Sequence, residues 1–207
     1  MADDKNFFAH GSQWIRGDFH LRTRQDKEFN YTGSDQDFVT RYTKALKDAD
    51  IRIGTITNHN KFDRDEFKAL RKAARKECIY LMPGVELSVK DGRNGIHTLV
   101  VFQEDWIDNK ENLDHINSFL GLTFAGQSGY ENSNARSNHD LIETIRELDK
   151  FWKDYFLIFE HVEDDSGLLG GLDGGRIIEL GNNELFRLRS AGFQNVNSRD
   201  KREKVIG

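Results

Sequence analysis

Four side chains of the kinds that bind metal ions stand directly after predicted strands. Each follows a short run rich in apolar and β-branched residues, and the four are His20, His59, Glu86 and His161. One histidine at a strand end is usually an ordinary loop residue, but four such positions on separate strands favour one shared site. His97 is the exception, because it opens its predicted strand instead of ending it.

Imidazole nitrogens together with a carboxylate form a ligand set that suits zinc, manganese or iron. One glutamate can bridge two metal ions, since each of its oxygens is available to a different ion. Two ions about 3.5–4 Å apart can activate a water and stabilise both the attacking and the leaving oxygen of a phosphoryl transfer. The residue types therefore favour metal-assisted phosphoester chemistry.

Strands and helices are predicted to alternate along the chain. The five clearest strands are predicted at 14–19, 51–57, 79–82, 96–102 and 155–159. Apolar residues at helical spacing predict helices between most of them. Such alternation is typical of a parallel sheet or an α/β barrel, in which functional residues gather where strands end.

Local signals refine the helices. Asp63 with Glu66 predicts the start of one helix, and residues 109–120 predict another that ends at Gly121. Asn138 is the predicted cap of the helix after that. The pattern contains no internal repeat and no linker that would divide the chain into two domains.

Composition limits the classes of protein. The chain has 207 residues, a formal net charge of −5 and a pI near 5.8, which excludes a strongly basic nucleic-acid module but leaves a local basic groove open. The single cysteine, Cys78, excludes an intrachain disulfide and predicts a cytoplasmic setting. No apolar run approaches the ~18 residues of a membrane span, so we expect no membrane partner.

Five ordered segments resemble the motifs of PHP (polymerase and histidinol phosphatase) domains. Residues 18–23 resemble the Asp-x-His-x-His-Thr opening of that family, and residues 56–60 resemble its Ile-Thr-Asp-His-Asn segment. Residues 83–88 resemble its Pro-Gly-Val-Glu-Ile-Ser segment. Ile96-His97 and Glu160-His161 match the next two histidine positions, in the same order and with similar spacing.

The resemblance covers about residues 13–162 and implies a fold. It implies an α/β protein, a distorted (β/α)7 barrel of PHP type, in a single domain over 1–207. Gly11-Ser12-Gln13-Trp14, together with residues 58–63, is similar to the amino-terminal PHP domain of TrlF-type PHP–ATPase proteins. Those proteins are much longer, so we expect the last elements of the barrel beyond residue 207.

The resemblance also implies a metal site. Up to three divalent ions (manganese, zinc or iron) are expected, with Glu86 as the bridging ligand. The implied ligands are His20, His59, Glu86, His97 and His161. The residues expected to serve catalysis are Glu86, His161 and Arg22.

Three departures from the family pattern weaken the expected site. Arg22 stands where the family has its second opening histidine, and arginine stays cationic and cannot bind a metal. Asn58 replaces an aspartate, which affects support of the ligands. The closing Asp-x-His is absent, and residues 200–202 are only a weak substitute. We therefore expect at least one metal position to bind weakly.

Three functions remain open. The first is a metal-dependent phosphoesterase, a nuclease module of a larger PHP–ATPase assembly, with nucleic acid, an ATPase region or a second copy of the chain as partners. The second is a catalytically degraded PHP domain that binds nucleic acid or a protein partner, for which Arg22 is the main support. The third is a small-molecule phosphatase of the histidinol-phosphate type, which the acidic balance favours.

Two further groups of charges have simple interpretations. A helix after Asp63 carries five basic residues, Lys68, Arg71, Lys72, Arg75 and Lys76. They predict a solvated face, with a nucleic-acid contact as the alternative. Asp26 and Glu28 are predicted loop carboxylates, with an extra metal ligand as the alternative.

Overall fold

A computed structural model describes residues 14–132 and 135–195. Within these residues, six strands form one curled sheet, part of a barrel, and their spatial order equals their order in the chain. The strands are β1 (Gly17–Leu21), β2 (Ile53–Ile56), β3 (Tyr80–Val89), β4 (Ile96–Phe102), β5 (Tyr155–Phe159) and β6 (Ser190–Phe193). The described residues thus form an α/β fold that matches an incomplete barrel, without a seventh strand.

Seven α-helices connect these strands within the described residues. They are α1 (Phe38–Asp48), α2 (Arg64–Lys76), α3 (His115–Thr123), α4 (Leu141–Asp149), α5 (Leu168–Gly171), α6 (Gly174–Asn182) and α7 (Glu184–Arg189). Apolar residues of the helices and strands form one core, in which Leu70 and Ala74 of α2 and Phe119 of α3 are completely buried. Each large aliphatic or aromatic side chain buried in this way contributes about 1.5–3 kcal/mol. No helix in the described residues is long and apolar enough to cross a membrane.

The sheet is mixed, whereas the sequence predicts a parallel sheet. The pairs β1–β2, β2–β3 and β5–β6 are parallel, but β4 runs antiparallel to both of its neighbours, β3 and β5. Only residues 90–95 connect β3 to β4, and a parallel pair needs a crossover of a dozen or more residues. The parallel prediction is therefore wrong for the two pairs around β4.

The direction of β4 explains why His97 opens a strand. Ser88, near the end of β3, pairs with His97, and Thr98 pairs with Phe159 at the end of β5. The start of β4 consequently lies at the same rim of the sheet as the ends of β3 and β5. His97 therefore reaches this rim near the start of a strand, whereas His59 and His161 reach it after the ends of β2 and β5.

Strand β3 is longer than predicted. The sequence indicates an end at Met82, before the single proline, but the strand continues to Val89. Pro83 pairs with Ile56, the last residue of β2, and the next residue, Gly84, is the first residue of β3 in register with β4. Glu86 therefore lies inside β3 and does not follow it.

The helix boundaries follow their capping residues. Asp63 caps α2 as predicted, because its side chain accepts a hydrogen bond from Glu66 N at 2.8 Å. Helix α3 begins at His115, after Asp114, instead of at 109, since residues 109–113 form a turn held by the Asn109 side chain. Helix α3 also continues through Gly121. The cap of α4 is Asp140 and not Asn138, with a reciprocal Glu143 contact.

Candidate metal centre

Six imidazoles and carboxylates lie together at the rim where β1, β3 and β5 end. Five of them are the residues predicted to bind metal, and the sixth is Glu160, directly after β5. We call this set the histidine–glutamate cluster: His20, His59, Glu86, His97, Glu160 and His161. Three groups of three within the cluster bring ligand atoms within 4.8 Å of one another; these are His59–Glu86–His97, His97–Glu160–His161 and His20–Glu86–Glu160.

Backbone pairing brings His59 beside Glu86. The segment after β2 stays against β3, because Glu86 N donates to Asn58 O at 3.1 Å and Asn60 N donates to Glu86 O at 2.7 Å. His59 and Glu86 form an isolated parallel bridge. Asn60 adopts φ of 49°, a left-handed conformation that asparagine tolerates better than most residues. The strand pairing therefore fixes the separation of these two side chains.

The carboxylate of Glu86 lies at the centre of the cluster and is completely buried. Its Oε1 is 3.3 Å from His59 Nδ1 and 3.1 Å from His97 Nδ1. Its Oε2 is 3.1 Å from His20 Nε2 and also contacts the guanidinium of Arg22. Each oxygen of Glu86 thus faces a different set of neighbours, as a bridging carboxylate does.

Glu160 is a member of the cluster that sequence reasoning missed as a ligand. It is completely buried, and its Oε2 lies 3.0 Å from His20 Nδ1 and 3.4 Å from His161 Nε2. Neither approach has the direction of a hydrogen bond, so both carboxylate oxygens have no hydrogen-bond partner among the described residues. The signal in the sequence was its position between the apolar β5 strand and a histidine.

The donor atoms fit a divalent cation. Besides the two oxygens of Glu160, the Nδ1 atoms of His97 and His161 are buried without a hydrogen-bond partner in the described structure. A buried polar atom without a partner costs about 1–3 kcal/mol, and a bound metal ion would satisfy such atoms. His161 also adopts φ of 31°, a strained conformation of the kind found at functional sites.

Arg22 points into the cluster. Its guanidinium contacts Glu86 Oε2, and its Nη1 donates to Asp26 Oδ1 at 3.2 Å and to Glu28 Oε2 at 2.7 Å. Asp26 is buried and accepts a second hydrogen bond from His59 N at 2.6 Å. Asp26 and Glu28, predicted as loop carboxylates, therefore hold Arg22 in place.

Two residues around the cluster support it. Asn58 accepts from Thr23 N at 2.8 Å and donates to Thr23 Oγ1 at 2.9 Å. This ties the loop after β1 to the end of β2. Asn60 accepts from Ser88 N at 3.0 Å, which joins the same segment to β3. The amides thus position the ligands through the backbone.

The buried charges shift the proton affinities of the cluster. Burial alone would lower the pKa of His20, but Glu160 and Glu86 outweigh it and raise the pKa to about 10. Contact with Glu160 also raises the pKa of His161. Burial alone would raise the pKa values of both carboxyls, but their histidine neighbours, with Arg22 beside Glu86, hold these pKa values below the usual range. A divalent ion that took His20 as a ligand would compete with this proton.

Other predicted features lie elsewhere. Residues 200–202 and 11–13 are outside the described residues. On α2, three of the five basic side chains face acidic side chains of the segment after β4. The ion pairs are Lys68–Asp108 at 3.6 Å, Arg71–Asp108 at 2.6 Å and Arg75–Glu104 at 2.7 Å.

Comparison with known proteins shows similarity of fold. No protein-family model and no curated protein matches the sequence. The chain is similar in structure to a protein of Bifidobacterium adolescentis assigned as a metal-dependent phosphoesterase, with a TM-score of 0.58 and 10% identity over 92% of this chain and 82% of that one. A two-domain protein of Bacteroides vulgatus assigned as containing a PHP-like metal-dependent phosphoesterase aligns with a TM-score of 0.48 and 16% identity, over 80% of this chain and 40% of that one. An amidohydrolase of Chromobacterium violaceum aligns with a TM-score of 0.45 and 14% identity, over 86% and 75%.

Proposed function

We propose that the chain is a metal-dependent phosphoesterase of PHP type that binds divalent ions in the histidine–glutamate cluster. The observation that carries this proposal is the pair of buried carboxylates, Glu86 and Glu160, each surrounded by imidazoles. Divalent ions in such a site lower the pKa of a water molecule and neutralise charge on phosphoryl oxygens. The fold shared with the Bifidobacterium adolescentis protein supports the same class of activity.

In this proposal the residues of the cluster and Arg22 have different roles. Glu86 offers one oxygen to each side of the cluster, and His59 is the deeply buried imidazole beside it. His20, His97 and His161 have side chains that are 22%, 24% and 28% exposed, so they form the face that a phosphate group can approach. Arg22 adds a positive charge on that face, which favours an anionic substrate.

Hydrolysis of bis(p-nitrophenyl) phosphate tests this proposal. We expect hydrolysis that requires added Mn²⁺ or Zn²⁺ and stops with excess chelator. Glu86→Ala should remove the activity, whereas Glu104→Ala, a carboxylate outside the cluster, should leave it unchanged. Absence of both hydrolysis and metal binding with every divalent ion tried would refute the proposal.

A finer form of the proposal concerns the substrate and the assembly. We propose single-stranded nucleic acid as the substrate and a larger PHP–ATPase protein as the context, on the resemblance of residues 11–14 and 58–63. Manganese-dependent cleavage of a labelled oligonucleotide, with elemental analysis of the purified protein, tests substrate and ion together. Hydrolysis of the small phosphodiester without cleavage of any oligonucleotide would contradict this finer form only.

A second candidate function follows from the position of Arg22. A guanidinium that already neutralises Glu86 favours a degraded domain that binds nucleic acid or a partner without turnover. The comparison of the chain with Arg22→His separates the two functions. An active phosphoesterase weakened by Arg22 should become much faster in the variant, whereas a binding module should cleave nothing in either form while it retains its ligand.

A further inference from the structure

The two oxygens of Glu86 have unequal surroundings. Oε1 faces only imidazoles, with His59 Nδ1 at 3.3 Å and His97 Nδ1 at 3.1 Å. Oε2 faces one imidazole, His20 Nε2 at 3.1 Å, and one permanent cation, the Arg22 guanidinium. The Oε1 side is therefore open to a cation, while the Oε2 side already holds one.

The guanidinium is held firmly on the Oε2 side. Three carboxylates bind it, those of Glu86, Asp26 and Glu28, and its side chain is only 19% exposed. The backbone of the same residue is also fixed, because Tyr42 donates its hydroxyl hydrogen to Arg22 O at 2.9 Å. Asp26 cannot move freely either, since it accepts from His59 N at 2.6 Å.

An arginine in this position acts against a metal ion in two ways. It has no lone pair to offer, so it cannot become a ligand, and it does not lose its proton. A divalent ion between His20, Glu86 and Glu160 would need the same Oε2 atom that the guanidinium contacts. Two cations on one oxygen repel each other strongly in a buried site.

We propose that Arg22 makes the cluster bind divalent ions in a fixed order. The first ion binds on the Oε1 side, with His59 and His97, and the Oε2 side, with His20 and Glu160, takes an ion only when the guanidinium leaves Glu86. This inference rests on the proposed function, because it concerns metal bound in the same cluster. When only the Oε1 side holds an ion, the Arg22 guanidinium supplies the positive charge on the Oε2 side that a second ion would otherwise supply.

Calorimetric titration of the chelator-treated protein with Mn²⁺ alone tests the order. We expect a strong step that disappears in His59→Ala and remains in His20→Ala, and a weak step that depends on His20. Arg22→Met removes the charge while keeping an unbranched side chain, and it should strengthen the weak step at least tenfold, because no cation then competes for Glu86 Oε2. The strong step should change less than threefold in the same variant.

Two control variants separate charge from folding. Arg24 lies in the same loop as Arg22 but pairs with Glu66 and Asp35, outside the cluster. Arg24→Met should therefore leave both Mn²⁺-binding steps unchanged. Arg22→Lys retains the charge and should keep the weak step weak. Thermal unfolding of each chelated variant shows that it is folded.

Three outcomes would overturn the inference. These are a second strong step in the unmodified protein that His20→Ala removes, a strong step lost in His20→Ala but not in His59→Ala, and an equal strengthening of both steps by Arg22→Met. If the protein also hydrolyses the phosphodiester with Mn²⁺, only the order of binding fails. If no Mn²⁺ or Zn²⁺ binds and nothing is hydrolysed, the proposed function fails as well.

Discussion

Two regions of the molecule concentrate charged side chains, and they differ in how their carboxylates meet solvent. The first is the histidine–glutamate cluster, in which Glu86 and Glu160 are both completely buried. The second is a set that we call the α2 ion-pair seam: Lys68, Arg71, Arg75, Glu104 and Asp108. The side chains of its two acids, Glu104 and Asp108, are 30% and 39% exposed.

The two regions are alike in density of charge and differ in the burial of their carboxylates. The two acids of the seam keep part of their hydration, and a partly exposed ion pair such as Arg75–Glu104 contributes about 0–1 kcal/mol. A completely buried carboxylate loses its hydration and must be balanced by imidazole, guanidinium or metal. Within the described residues, both oxygens of Glu160 are buried without a hydrogen-bond partner, which a cation would satisfy.

The largest difference between the regions should appear on removing one carboxylate charge from each. Glu86→Gln removes the buried charge that Arg22 and His20 both contact, so the metal-free protein should lose about 3–5 kcal/mol of unfolding free energy and its Mn²⁺ binding. Glu104→Gln should lower the unfolding free energy by less than about 1 kcal/mol and retain Mn²⁺ binding. Denaturant unfolding of the chelated proteins and calorimetry measure both; similar losses in the two variants would remove the distinction.

Glu160 should affect metal binding more than stability. Its oxygens make no hydrogen bond within the described residues, so Glu160→Gln should reduce Mn²⁺ affinity at least tenfold with a smaller loss of stability than Glu86→Gln. Glu66→Gln is the matched control, because Glu66 is also a buried carboxylate but pairs with Arg24 away from the cluster. An unchanged Mn²⁺ affinity in Glu160→Gln would place that carboxylate outside the metal site.

The metal-free cluster should also respond to pH. The folded pKa of His20, about 10, is above its ordinary value of 6.5, so its stabilising effect is complete below pH 6.5 and is lost as the pH rises toward 10. Glu86 and Glu160 have lowered pKa values, so their effect is lost as the pH falls below the ordinary value of 4.5. Denaturant unfolding in chelator should therefore give a maximum between pH 4.5 and 6.5, and His20→Gln should flatten the alkaline side. An unfolding free energy that stays level from pH 6.5 to 10 would contradict the assigned partners of His20.

Local sequence predicts most of the elements but not their directions. The strands at 96–102 and 155–159 are predicted almost to the residue, because apolar runs of that length mark buried strands. The antiparallel direction of β4 depends on the short connection at 90–95. If β4 were parallel to its neighbours, His97, near the start of the strand, would lie at the opposite edge of the sheet from the other predicted ligands.

The composition of the cluster was only partly predictable for a similar reason. The histidines and Glu86 could be identified by type and position, but a glutamate beside a histidine, as Glu160 is, occurs often at exposed positions. The arginine at position 22 is visible in the sequence. The direction of its side chain toward Glu86 is not, because that depends on Asp26 and Glu28 in the loop that follows.

The smallest expected effect lies in the seam, at Arg75. This side chain is 49% exposed and donates to Glu104 at 2.7 Å. Arg75→Ala should therefore lower the unfolding free energy by less than about 1 kcal/mol and leave Mn²⁺ binding and hydrolysis unchanged. Lys72 on the same helix forms no ion pair within the described residues, so Lys72→Ala is the control and should change stability by about 0.5 kcal/mol or less.

The dependence on salt distinguishes an ion pair from packing at Arg75. At 1 M salt the Debye length is about 3 Å, so an exposed pair is screened and the difference between Arg75→Ala and the unmodified protein should shrink. Denaturant unfolding at 0.05 M and 1 M NaCl measures this change. A cost that is independent of salt would mean that the aliphatic stem of Arg75 packs against the protein. A loss of oligonucleotide binding in Arg75→Ala would instead make the seam a nucleic-acid contact, the alternative that its basic residues allow.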